Sequence, residues 1–183
     1  MASIVSVEQL QGLAAGSTPN TISIPAGQTL HAPGHVIQVI SAENTAATSA
    51  TSATPVNIVS VSITPKSSSS KIYITASVHA TTGSSSRAGV GLYKDSSPVI
   101  RGDTAGSRSR VYGQVQNGDT GILSSITMTY LDSPATTSQI TYSAKMEPEG
   151  GSTPFYINRS AQDADSASRY RGVSAITVME IAQ

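Results

Sequence analysis

The stretch KIYITASVHA, residues 71–80, alternates apolar and polar side chains. One face carries Ile72, Ile74, Ala76 and Val78, and the other carries Tyr73, Thr75, Ser77 and His79. Because successive side chains of a β-strand point to opposite faces, this period of two predicts a strand with one buried face. A helix would need apolar residues three and four positions apart, a spacing that the chain from His35 onward lacks.

Segments of the same kind recur along the rest of the chain. They are residues 35–40, 59–63, 88–95, 110–116, 126–130, 140–146, 155–160 and 173–182. Turn-forming stretches such as GSSS, KDSSP, QNGD, LDSP and EPEGG separate them. About eight to ten strands at this spacing predict an all-β fold, an antiparallel β-sandwich. The jelly roll is the commonest eight-stranded version.

Two regions differ from this pattern. Residues 1–35 contain few strand-like segments and several turns, so we predict an extended N-terminal arm followed by a head domain over residues 36–183. The arm offers apolar residues for burial against a partner, namely Val5, Leu10, Ile22 and Ile24. The low-complexity stretch at residues 42–55 is either a flexible linker or a threonine-rich strand, and its position between two strands favours the strand.

Composition bounds the function. The formal net charge is +0, which gives no electrostatic reason to expect nucleic acid or an anionic membrane as a partner. Only 12% of residues are charged, 4% are aromatic, and there is no Trp. Such a chain builds a thin core as a monomer, which favours an oligomer that buries surface between copies. Without Cys there is no disulfide or thiol chemistry. The N-terminus predicts no cleavable leader, and no apolar run approaches the length of about 18 to 20 residues that a membrane span needs.

The stretch RSAQDADSASRYR, residues 159–171, is the most charged part of the chain. It contains Arg159, Asp163, Asp165, Arg169 and Arg171. An EF-hand is excluded, because the positions that would need Gly and Glu are Ser. An irregular calcium site and a carboxylate pair for glycoside hydrolysis stay open, but no aromatic sugar platform accompanies the pair. The favoured interpretation is a structural ion-pair cluster that braces a loop beside the last strand.

Other candidate motifs are weaker. His31 and His35 are four apart in HAPGH, and either could bind a metal if three copies met on a three-fold axis, although solvated loop histidines are the simpler interpretation. The tripeptide Arg101–Gly102–Asp103 is interpreted as a chance match within a polar loop. No nucleophile elbow, zinc-protease helix or phosphate-binding loop occurs, so we predict no catalytic residues and no cofactor.

Four motifs occur in sequence order, namely VSVSITPKSSSSKIYITASV, GLYKDSSPVIRGDTAGSRSR, LDSPATTSQITYSAKM and YINRSAQDADSASRYRGVSAITVMEI. As a set they resemble a module of bacteriophage virion proteins. The module is similar to that of tail-fibre-like proteins, especially from phages of aquatic bacteria such as cyanobacteria, and the motifs lie within residues 36–182.

The resemblance implies a trimeric β-sandwich head on the virion surface, without catalysis or cofactor. The expected function is host-surface attachment, with a host glycan as a possible partner and the N-terminal arm bound to other virion proteins. A short arm before a compact head equally suits a capsid decoration protein. A glycan-degrading tailspike enzyme is the alternative from another class.

Overall fold

The computed structural model describes residues 32–83, 86–116, 121–149 and 154–183, and these form β-strands and no helix. The strands are β1 Val36–Asn44, β2 Thr48–Ala50, β3 Val56–Ile63, β4 Lys71–Thr82, β5 Arg87–Lys94, β6 Ser97–Pro98, β7 Gly113–Gln116, β8 Ser124–Asp132, β9 Ile140–Pro148, β10 Phe155–Ile157 and β11 Ser174–Ile181. Residues Pro33–Gln183 form one compact unit.

The strands form two sheets in which every strand pair is antiparallel. In sheet A, β4 pairs with β8 on one edge and with β11 on the other, and β1 pairs with the far edge of β11. In sheet B, β9 lies between β3 and β5, and the far edge of β5 pairs with β7 and with the short β6. The predicted all-β, antiparallel class is therefore confirmed.

The alternation in β4 has the predicted consequence. Its residues 72, 74, 76 and 78 are fully buried, and the side chains between them are half-buried on the outer face of sheet A. Inward residues of both sheets form one core, in which Tyr142, Phe155, Ile58, Leu92 and Met128 are among the largest fully buried side chains. Burial of this apolar surface is the main stabilising contribution to such a sandwich.

At two positions in sheet A, two strands lie end to end and follow one line, with a break between them. Strand β10 pairs with the end of β4 and β11 with its beginning, both on the edge opposite β8, so β10 and β11 follow one line. Residues 158–173 leave the sheet between them. Beside them β1 and β2 also follow one line, since β2 pairs with β10 and β1 with β11.

This second line explains the low-complexity stretch at 42–55. Its first residues complete β1 and its middle forms β2, so the strand interpretation is correct for these parts, while residues 51–55 connect to β3. The predicted strand at 110–116 is shorter than expected, because only Gly113–Gln116 pair with β5. The anchor residues Val5, Leu10, Ile22 and Ile24, and also His31, lie outside the described residues.

Candidate functional site

The charged stretch forms a loop that closes at its own base. Arg159 and Arg171 form an isolated antiparallel bridge, which brings the two ends of the excursion side by side. Asp163 forms ion pairs with both guanidinium groups, with Arg159 Nη1 at 3.2 Å and with Arg171 Nη2 at 2.6 Å. The Arg159 guanidinium also lies 4.6 Å from the centre of the Tyr156 ring. The Asp163 carboxylate therefore links the side chains of the same two arginines whose backbones form the bridge.

The other two residues of the predicted cluster have different surroundings. Arg169 donates to Gln162 Oε1 and to Ser168, and its Nε is buried without a partner among the described residues. Asp165 is exposed and belongs to none of the ion pairs found in the described parts of the chain. The five-residue cluster was thus too broad, because Asp163 alone faces both arginines of the bridge.

Asn158 fixes the start of this loop. It is completely buried at a positive φ of 58°, a region in which Asn is favoured among residues other than Gly. Its Nδ2 donates to the carbonyls of Asn44 and Ala46, 2.7 and 3.2 Å away, at the break between β1 and β2. Its Oδ1 accepts from Ser174 Oγ, at the start of β11. One side chain therefore satisfies two backbone carbonyls at the first interruption and binds the Ser174 hydroxyl at the second.

A pocket of about 420 Å³ lies beside strands β5, β7 and β9. Gln114, Gly89 and Glu147 are register partners across these strands and line it in one row. The exposed side chains of Arg87 and Arg108 belong to the same lining. The pocket could not be predicted from local sequence, because its residues come from three strands and a long loop.

Two glycines of β5 shape the surface beside this pocket. A Cβ at Gly89 would collide with the side chain of Val111, and a Cβ at Gly91 would collide with the carboxylate of Glu147. Glycine inside a strand often marks a place where another group approaches the backbone closely. Here it lets the 99–112 loop and a carboxylate lie directly on sheet B. The signal in the sequence was the pair of glycines in AGVGLYKD.

Arg101 holds that carboxylate in place. Its guanidinium forms a salt bridge with Glu147 Oε2 and donates to Tyr93 Oη, 2.9 Å away, and to the carbonyl of Arg110. Burial and, secondly, the nearby Glu147 charge raise the pKa of Tyr93. The Arg–Gly–Asp tripeptide is therefore tied into the sheet by its arginine, which is how a structural residue and not a freely presented recognition loop behaves.

Two further buried polar groups lie at one end of the sandwich. Asp132 Oδ2 accepts from Lys94 Nζ at 3.0 Å and from Tyr142 Oη at 2.7 Å, and burial first, then Asp132, raises the pKa of Tyr142. Glu180 is completely buried and accepts from Gln38 and from the backbone amides of Lys66 and Ser67. Burial alone would raise the pKa of Glu180, but hydrogen bonds outweigh it and the pKa is lowered.

The histidine proposal concerns His31 and His35. His35 is half-buried and its carbonyl accepts from the amide of Ala182 at 3.0 Å, whereas His31 is outside the described residues. Within the described ranges there is no group of three or more His, Asp or Glu side chains placed to hold a metal ion. The same residues include no apolar helix long enough to cross a membrane.

Comparison with known proteins gives no assignment. The chain matches no family model, and no curated protein matches it significantly.

Proposed function

We propose that this protein is a bacteriophage virion surface protein with a homotrimeric jelly-roll head that attaches the particle to the host-cell surface. In this proposal the N-terminal arm, residues 1–35, joins the head to other virion proteins. The alternative in the same class is a capsid decoration protein.

The observation that carries the proposal is the order of strand pairing. Strands β1 and β2, β6 and β7, and β10 and β11 each follow one line, so the eleven strands of the described residues form eight lines. The first line pairs with the last, β1 with β11, and the second with the seventh, β3 with β9. The third pairs with the sixth, β4 with β8, and the fourth with the fifth, β5 with β7. A long antiparallel ribbon that folds over into two sheets has this nested order. Jelly rolls of this kind recur in viral capsid and lectin domains.

The outer face of sheet A supports association with other copies. Four outward residues are register partners in one row across it, in the order Val39, Met179, Tyr73 and Leu131. Val39 is 55% exposed and Leu131 46% exposed. A contiguous apolar row across a whole sheet is typical of a surface that a partner covers.

Few charges accompany this row. Ser41, Thr177, Thr75 and Thr129 form the next row on the same face. In the outward positions of these four strands the Asp, Glu, Lys and Arg residues are Glu43 and Lys71, and His79 lies at one end of β4. The cores of protein interfaces are depleted in charged residues, so this face suits contact between copies.

The surroundings of Asp163 favour a structural role over an enzymatic one. Arg159 and Arg171 both form ion pairs with this carboxylate, and they join it to the two ends of the loop. A carboxylate pair for glycoside hydrolysis needs two groups in one cleft, whereas the second aspartate of the loop, Asp165, is exposed and belongs to no ion pair among the described residues. The loop geometry therefore supports a brace.

Localisation on the particle tests the function. The exposed C-terminal residue Gln183 allows a small epitope tag, and gold-labelled antibody can then be imaged on purified particles. We expect label at a fibre or at the tail tip. Label over the whole capsid would favour the decoration alternative, and particles without label would contradict both.

A truncation provides the matched control. The amide of Gly34 donates to Ala182 and the amide of Ala182 donates to His35, so a variant that lacks residues 1–31 keeps the head's own contacts. We expect this variant to fold and to be absent from particles. Normal incorporation would show that the arm is not the anchor.

A further inference from the structure

The pocket beside β5, β7 and β9 has the dimensions of a small-molecule site. Its volume of about 420 Å³ falls within the range usual for ligand pockets. The wall next to sheet B is fixed, because Val111 lies over Gly89 and the Glu147 side chain is only 13% exposed. The site is thus formed without rearrangement of the strands.

The lining offers both charge and hydrogen-bonding groups. Arg87 and Arg108 carry guanidinium groups, which bind carboxylates through two parallel hydrogen bonds. Gln114 supplies an amide and Ser109 a hydroxyl, and both are exposed at the pocket. This combination suits a ligand with one anionic group and several hydroxyls.

The charge balance selects an anionic ligand. Glu147 is already neutralised by Arg101, so it does not offset the other cations of the pocket. Arg87 and Arg108 then face Glu149 as the one remaining carboxylate of the lining. None of these three belongs to an ion pair between described residues. The pocket therefore has an excess of one positive charge.

Glu147 also has unused acceptor capacity. Its Oε2 binds Arg101, while its Oε1 is buried beside Gly91 and receives no hydrogen bond from the described residues. Buried acceptors without a donor are rare in folded proteins and call for an explanation. Here the unpaired oxygen is enclosed beside Gly91, which is not part of the pocket lining, so the ligand contacts the other groups of the pocket and not this atom.

We propose that this pocket binds a hexuronic acid residue of a host-surface polysaccharide. Arg87 and Arg108 bind the sugar carboxylate, and Gln114, Ser109 and Glu149 bind its hydroxyls. The choice of a host polysaccharide as the source rests on the proposed attachment function. The chemistry of the pocket is independent of that function, so binding of the sugar can be tested on the purified protein.

The test uses the full-length protein, ¹⁵N-labelled, and titrates it with an oligogalacturonate. The matched control ligand is the methyl-esterified oligomer, which keeps the hydroxyls and lacks the charge. We expect shifts of the amide signals of Gly89, Gln114 and Glu147 with the acid, and at least a tenfold weaker affinity for the ester. Equal binding of both oligomers, or no shift at these residues at millimolar ligand, would overturn the proposal.

Variants test whether the two arginines bind the ligand directly or only add positive charge to the protein. Arg87→Gln combined with Arg108→Gln should weaken binding at least tenfold. Arg108→Lys should give an intermediate loss of affinity, because Lys keeps the positive charge but lacks the two parallel N–H donors of a guanidinium group. Lys66→Gln removes an exposed cation elsewhere and should leave binding unchanged. Unchanged affinity in the double variant contradicts the site. Inorganic phosphate that competes as strongly as the oligomer would show an anion site and not a sugar site.

The outcome is independent of the particle experiment. Particles that carry the protein, together with no uronate binding, would reject the pocket proposal and leave the virion assignment intact. Uronate binding by a protein that is absent from particles would reject the virion assignment and keep the pocket.

Discussion

Ser174 Oγ donates a hydrogen bond to Asn158 Oδ1 at 2.6 Å and accepts one from the amide of His79 at 3.0 Å. Asn158 ends one strand line and Ser174 resumes it, so this contact closes the neck of the charged loop. The same Asn158 side chain reaches the carbonyl of Asn44 on the neighbouring line. The charged loop can leave sheet A because this buried network completes the hydrogen bonding that the sheet loses.

Asn158→Ala should therefore destabilise the fold strongly. It removes donors from two backbone carbonyls and leaves Ser174 without its acceptor, and it places Ala at positive φ. We expect the free energy of unfolding to fall by about 3 kcal/mol. Glycine adopts a positive φ without strain, so Asn158→Gly should lose less stability. Asn57→Ala, at an exposed position, should change the stability little. Urea denaturation measures all three, and equal stability of Asn158→Ala and wild type would contradict this role.

The two aspartates of the charged loop should differ. Asp163→Asn breaks both ion pairs with Arg159 and Arg171, whereas Asp165→Asn breaks none of them. The Asp163 side chain is 41% exposed, so we expect a loss of only about 1 kcal/mol. Thermal unfolding should show a lower midpoint for Asp163→Asn and an unchanged midpoint for Asp165→Asn. Unchanged melting in both, with lost host attachment, would instead identify a functional site.

Glu180 should make stability depend on acid pH. Its pKa in the folded protein lies below the ordinary value of 4.5, so its stabilising contribution is complete above that value. The contribution is lost as the pH falls through the lowered pKa. We expect Glu180→Gln to have a lower free energy of unfolding than wild type at neutral pH. As the pH falls from about 5 to about 3, that free energy should decrease less in the variant than in wild type. Glu43→Gln is the exposed control, and parallel pH profiles for Glu180→Gln and wild type would refute the prediction.

The apolar row on sheet A should hold the copies together. Val39→Lys with Leu131→Lys places two charges in the row, whereas Ile122→Lys changes a 50% exposed apolar residue outside the sheet. Sedimentation velocity should show a trimer for wild type and for Ile122→Lys, and mainly monomer for the double variant. A monomeric wild type at micromolar concentration would exclude the trimer, and a trimeric double variant would show that another surface joins the copies.

The strands were predictable because each one carries its own signal. The alternation in β4 and β11 identifies the strand and its buried face from neighbouring residues alone. Strand order was beyond this reasoning, since the pairing of β1 with β11 joins residues far apart in the sequence. The two separate strands on either side of the charged stretch were predicted, but their position on one edge of β4 was not, because it depends on long-range pairing and on the buried contacts of Asn158 with Asn44 and Ser174.

The sites show the same limit. Composition drew attention to the charged stretch, and Asp163 does bind two of its arginines. Local sequence could not tell Asp163 from Asp165, because the difference arises from the backbone bridge that places Arg171 beside Arg159. The pocket needs Arg108, Gln114 and Glu147 from separate segments, and only the fold brings them together.

Competition for host cells tests attachment most directly. Under the proposed function, purified wild-type protein is added to host cells before phage particles, and the adsorption rate is measured against the concentration of added protein. We predict that the protein binds the cells and slows adsorption in a saturable way, and that the Val39→Lys, Leu131→Lys variant does so more weakly. Unchanged adsorption at saturating protein, with no protein bound to the cells, would contradict the proposed role in host attachment.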